Sequence, residues 1–239
     1  MQKKLSLTLS ILLVSVLTAC GGGGGGGDGV PAPGPSAQVQ GRWTTAAGSA
    51  PAYTAIGLPS SNASASIWIL ANDATRLVKL TAQDSGALTG KAYALGQSTS
   101  ATNVIGQWST SASKSLSLTG LPGGALTLVQ TDALTAASVQ ADVAGAWKAT
   151  VGSNAQSVSW TVAASGAVSG SSTTGCTYTG TLIAMANASA YTAAFREACS
   201  DGVSTQFNGI ATLSSAKNAL SMVATSADES VGAALFFSK

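Results

Sequence analysis

Along most of the chain, apolar and polar residues alternate in short runs punctuated by Gly, Asn, Ser and Pro. A two-residue period is that of antiparallel strands with one face buried. In the C-terminal half the runs AWKATV, SVSWTVAA, AVSGSST, CTYTGTLIAM, AYTAAFREAC, TQFNGIATLS, ALSMVATS and GAALFFS each predict a strand. The preceding half gives about as many, from RWTTAA through SIWIL, RLVKLTA and GKAYAL to ALTLVQ. About eight short-linked strands per half predict an all-β protein of two tandem up-and-down β-barrels, because closure removes the exposed edges that invite aggregation. Two open β-sandwiches are the alternative arrangement of the same strands.

One hairpin can be registered residue by residue. From Cys176 the alternation puts Tyr178, Gly180, Leu182 and Ala184 on one face and Thr177, Thr179 and Thr181 on the other. Folding back around Asn187-Ala188 sets Ala184 opposite Tyr191, Leu182 opposite Ala193, and Gly180 opposite Phe195. Cys176 then faces Cys199, and directly opposed Cβ atoms about 4.5–5.5 Å apart are near what a disulfide requires. Closing a loop of ~24 residues contributes roughly 3.5 kcal/mol in the chain-entropy model. Phe195 lying over Gly180 is aromatic rescue of a strand glycine. The same register turns Glu197 inward, toward a bulge or a barrel mouth. A helix competes for this stretch, since Tyr191, Phe195 and Cys199 also fall at i, i+4 and i+8.

The two halves echo each other. Val39-Gln40-Gly41-Arg42-Trp43 and Val143-Ala144-Gly145-Ala146-Trp147 share V-x-G-x-W at a separation of 104 residues. Gly106 and Lys114 match Gly209 and Lys217 at 103, and LSL from Leu116 matches LSM from Leu220 at 104. Ordered anchors at nearly one spacing indicate two related units, with β domains expected over residues 39–133 and 140–239. VIGQW, from Val104 to Trp108, also fits the motif. SGALTG from Ser85 and SGAVSG from Ser165, 80 residues apart, read as one hairpin chemistry used twice.

G-x-W at the start of a strand resembles the calycins, the lipocalin and avidin-like barrels. The resemblance implies that Trp43 and Trp147 plug one end of each barrel. It also implies an alternative function, carriage of a small apolar ligand, which needs an interior cavity of about 300 Å³ or more.

The N-terminus reads differently. Lys3 and Lys4 precede an apolar run from Leu5 to Leu17, and Thr18 and Ala19 lead into Cys20. That is the layout of a secretory signal peptide, expected over residues 1–19. The run is too short for a hydrocarbon core that needs about 20 residues. Leu17-Thr18-Ala19-Cys20 resembles the bacterial lipobox. The resemblance implies cleavage before Cys20, a diacylglycerol on its thiol and an acyl chain such as palmitate on the new amino group. Two such signals anchor stably where one does not.

Seven glycines follow, and with the Pro-rich VPAPGPS they make a tether over residues 20–38 that spans roughly 25 Å as a flexible coil. A lipidated cysteine followed by a glycine run resembles neisserial-type surface lipoproteins, which implies an outer-membrane location with surface display favoured over the periplasmic leaflet.

Composition narrows the function. Removing residues 1–19 takes Lys3 and Lys4 from the 11 basic residues and leaves nine, equal to the 9 acidic ones. With 8% charged residues and no basic cluster, nucleic acid is not an expected partner. The expected partners are the membrane, through the lipid, and a protein or small apolar ligand. The chain has 0 histidines, which excludes Ser-His-Asp and Cys-His nucleophile systems and histidine metal sites. The carboxylates are scattered, and adjacent Asp228 and Glu229 would point to opposite faces of a strand. No catalytic, metal or cofactor residues are expected, and the protein reads as non-enzymatic: a binding, display or structural module of the envelope. Cys176 and Cys199 are left to pair in an oxidising compartment.

Overall fold

The computed structural model describes residues 34–61, 63–97, 99–151 and 156–239. The expected signal peptide, Cys20 and most of the tether lie outside the described residues. The rest is all-β, in two closed eight-stranded antiparallel barrels.

A five-residue helix α1 (Pro35–Val39) enters the first barrel. Its strands are β1 (Gly41–Thr44), β2 (Tyr53–Ser61), β3 (Ser64–Ala71), β4 (Arg76–Gln83), β5 (Ala87–Ala94), β6 (Thr102–Thr110), β7 (Ser115–Leu118) and β8 (Leu126–Asp132). The four-residue α2 (Gln140–Val143) enters the second. There follow β9 (Gly145–Val151), β10 (Gln156–Val162), β11 (Ala167–Ser172), β12 (Thr177–Ala184), β13 (Tyr191–Ala198), β14 (Ser204–Leu213), β15 (Ala219–Ser226) and β16 (Gly232–Ser238). Each strand pairs with its chain neighbours, and β8 closes on β1 as β16 closes on β9. The eight runs read from the C-terminal half are these eight strands, and open sandwiches are not formed.

Alternation decides the inner face. In β10, Val158, Trp160 and Val162 are buried while Ser157, Ser159 and Thr161 are not. The two interiors differ. The first is mostly aliphatic, with Ile67, Ile69, Leu80, Leu88, Leu116 and Leu128 around Trp43 and Trp108. The second is aromatic: Trp160 lies 5.0 Å from Phe195 and 4.8 Å from Phe237 between ring centroids, and Phe195 stacks on Phe207 at 5.2 Å. Each such side chain contributes about 1.5–3 kcal/mol on burial, and alanines at 193, 211 and 224 in the same cluster leave room for the rings.

The β12–β13 hairpin has the predicted register. Ala184 pairs with Tyr191, Leu182 with Ala193 and Gly180 with Phe195, and Cys176 is joined to Cys199 with Cα atoms 3.9 Å apart. The helical alternative is not taken. A Cβ at Gly180 would come within 2.5 Å of the Phe195 Cα and 2.7 Å of its Cβ, so only glycine admits the close approach of β13 there.

The duplication is structural. Gly106 and Gly209 sit within β6 and β14. Lys114 (φ 55) and Lys217 (φ 57) occupy the same left-handed position of the turns that follow. Gly86 and Gly166, both of positive φ, close the same turn of β4–β5 and β10–β11.

How the barrels meet is not written in the alternation of either half. They fall within one compact unit. Outward-facing Ile56, Leu58, Trp68, Leu77 and Tyr93 of the first barrel form a third buried cluster with Ile210 of β14, Ala188 and Ala190 of the β12–β13 turn, and Leu134 of the connection. The unbroken apolar run SIWIL has this cause: β3 is buried on both faces, which erases alternation.

Candidate functional site

At the base of each barrel a short helix ends on a valine, and a glycine of positive φ, Gly41 (φ 148) or Gly145 (φ 123), turns the chain into the first strand. The tryptophan two residues on points inward. Trp43 Nε1 donates to Val39 O at 2.9 Å and Trp147 Nε1 to Val143 O at 2.7 Å, both buried. V-x-G-x-W therefore joins one buried donor to one buried acceptor, two groups that are costly to leave apart. Lys239 Nζ lies 4.7 Å from the Trp147 ring and donates to Asp142 O at 3.1 Å, which covers that base. The third copy of the motif is not a base. Trp108 lies within β6 and donates to Gln83 O at 2.7 Å.

The opposite mouth of the second barrel carries the Cys176–Cys199 disulfide. Glu197 does turn inward: Tyr178 Oη donates to its Oε1 at 2.7 Å. Burial first, then this carboxylate, raises the Tyr178 phenol above its ordinary range. The ligand atoms of Cys176, Glu197 and Cys199 lie within 4.8 Å of one another. The two sulfurs are bonded to each other and so offer no thiolate to a metal.

The closing seam is short here. β16 pairs with β9 at Phe237–Ala149 and Ser238–Lys148. Toward the mouth a cavity of about 500 Å³ opens between β16 and the β9–β10 side, reaching Tyr178, Phe195 and Phe207.

The mouth of the first barrel is a cavity of about 330 Å³ beneath the β7–β8 loop. Arg76 Nη1 holds that loop by donating to Pro122 O at 2.7 Å.

Where the barrels meet, polar contacts frame the apolar cluster. Lys79 Nζ, 5.3 Å from the Trp68 ring centroid, pairs with Glu229 Oε1 at 2.6 Å. Lys91 Nζ donates to Glu229 O at 3.1 Å. Glu229 (φ 56) is presented by a turn built on Asp228. Hydrogen bonds from Ser226 and Ser230 lower the Asp228 carboxyl to about 2. Burial, then the charges of Glu229 and Asp228, pushes the Tyr93 phenol up to about 12, and Tyr93 Oη has no partner among the described residues. On another side Gln40 Nε2 donates to Leu134 O at 3.1 Å and to Asn187 O at 2.8 Å.

The two surfaces do not seal everywhere. A groove of about 210 Å³ lies over Ile56, Trp68, Leu70, Ile210 and Val223, with Arg42 at one side. Phe236 stands on its rim, 47% exposed. A recess of about 520 Å³ shares Arg42 with it and adds Asp132, Asp142 and Lys217, two charges of each sign.

Trp43 and Trp147 thus lie at the helix-capped bases, Cys176 and Cys199 at one mouth, and Cys20 outside the described residues. The groove was missed, although the outward-facing apolar residues Ile56, Trp68 and Ile210 are its signal. Among the described residues no helix is long and apolar enough to cross a membrane. Compared with protein-family models, curated proteins and solved structures, the chain matches none.

Proposed function

We propose that this chain is an outer-membrane lipoprotein that works without catalysis, by binding. It is held through an acylated Cys20 and presents its paired barrels on a Gly- and Pro-rich tether that ends where α1 begins at Pro35. The charged n-region, apolar run and lipobox-like Leu17-Thr18-Ala19-Cys20 support the anchor. The Cys176–Cys199 disulfide suits an oxidising envelope compartment. The glycine run after Cys20 supports surface display.

The observation that carries the binding reading is the groove between the barrels. The groove is concave and mostly apolar, with half-buried Leu70 and Val223 over the buried cluster, exposed Phe236 at the rim and Arg42 beside it. A concave apolar site with a convergent charged group is the usual form of a binding site. A protein segment with an apolar anchor and an acidic neighbour matches it. Carriage of a small apolar ligand has less support. The barrel axes are occupied by Trp160, Phe195, Phe207 and Phe237 in the second and by close-set aliphatic side chains in the first. The cavities at the two mouths carry Glu197 and Asp73, or Arg76, charges that a neutral apolar ligand leaves unused.

Protease treatment of intact cells tests display. Loss of the barrels from cells with a sealed outer membrane is the expected result, and full protection would place the body in the periplasm. Native mass spectrometry of the delipidated protein tests binding against carriage, since a retained small apolar molecule would favour the carrier.

A further inference from the structure

We propose that the open seam of the second barrel binds a small organic cation, an alkylated or quaternary ammonium, between the rings of Tyr178, Phe195 and Phe207 and the carboxylates of Glu197 and Asp73. This site shares Phe236 with the inter-barrel groove, but its rings and carboxylates are its own, and it does not depend on what the groove binds.

The cavity there has a volume of about 500 Å³, room for such a group with its substituents. Its chemistry is one-sided. The charged residues that line it are Glu197 and Asp73, and no lysine or arginine lines it among the described residues. Aromatic rings attract cations through their negative faces, most strongly where the cation is desolvated. Here Phe195 and Phe207 lie stacked, centroids 5.2 Å apart, with Tyr178 6.4 Å from Phe195.

The acid beside the rings is fixed in place. The Tyr178 hydroxyl holds Glu197 Oε1 at 2.7 Å, and Oε2 has no partner among the described residues. Glu197 follows from the hairpin register, which turns it to the barrel side while Arg196 turns out to Ser204 Oγ at 2.6 Å. Asp73, from the β3–β4 turn of the first barrel, supplies the second negative charge across the opening.

Other ligand classes fit less well. An anion meets two carboxylates. A hard metal ion wants six or more oxygens, and the walls here are rings. A neutral apolar molecule makes no use of the acids.

The test uses choline as the probe and its neutral carbon isostere, in which a tert-butyl group replaces trimethylammonium. Both are titrated into the disulfide-intact protein at low salt, and the aromatic proton resonances are followed. Saturable choline binding that shifts the ring signals of Tyr178, Phe195 and Phe207 is expected, with the isostere at least about fivefold weaker. Glu197→Gln, which keeps the acceptor for Tyr178, should weaken choline at least about fivefold. Asp73→Asn, at an exposed turn, should weaken it to a smaller extent and keeps the test open if the first variant folds poorly. Equal affinity for the isostere, no saturation by about 20 mM choline, or affinity unchanged in both variants overturns the proposal.

Discussion

Glu229 in the β15–β16 turn meets Lys79 of β4 at 2.6 Å, joining the two barrels across 150 residues of sequence. Around this contact Trp68 and Ile210 are buried although both point out of their own barrels. The barrels are therefore braced on one another.

The brace predicts two mutational effects of unequal size. Trp68→Ala, which opens the shared cluster, should cost about 3–5 kcal/mol. It should also divide a single guanidinium unfolding transition into two as the barrels uncouple. Glu229→Gln should cost less than about 1 kcal/mol, since the ion pair is partly solvated. Equal effects would assign the brace to charge instead of apolar burial.

At the bases, Trp147→Phe should destabilise by about 1–3 kcal/mol beyond its lost volume, because the Val143 carbonyl stays buried without a donor. Thermal unfolding of Trp147→Phe beside Trp43→Phe measures it. Both should fall, since both indoles make the same bond.

Cys176→Ser combined with Cys199→Ser should cost roughly 3.5 kcal/mol while leaving the β12–β13 register in place. Denaturation with and without reductant gives the same comparison in the unaltered chain. No change on reduction would contradict the pairing.

The Asp228 turn predicts an acid response. Its carboxyl falls from an ordinary 3.8 to about 2 in the folded chain. The folded value is the lower, so the contribution is complete above the unfolded value and is lost as pH drops from about 4 through 2. The Ser230 amide resonance should follow this loss, and Asp228→Asn should abolish it. Tyr93 has the opposite sense. Its phenol is raised to about 12, so neutral Tyr93 favours the fold up to about 10, and that is lost as pH climbs through 12.

Much of this architecture is written locally. The β12–β13 register was legible because threonines alternate with Tyr178, Gly180 and Leu182, and because two cysteines close the open end. The barrel pair was less so. A one-sided strand announces its inner face by alternation, and β3 does not alternate because Trp68 and Leu70 are covered from outside. Nor does V-x-G-x-W carry its own meaning. The same letters make a base behind a helix at Trp43 and Trp147, and an ordinary strand interior at Trp108. Arg196-Glu197 shows what register alone carries: the pleat sends Arg196 out to Ser204 and Glu197 in to Tyr178, as the hairpin alternation requires.

Intact-mass analysis of detergent-extracted protein from bacterial cells reaches the central claim most directly. A polypeptide starting at Cys20, heavier by a diacylglycerol and an acyl chain and returning to its bare mass in Cys20→Ser, is the predicted result. An unmodified Cys20, or an N-terminus elsewhere in the mature chain, would contradict lipid-anchored display of the paired barrels.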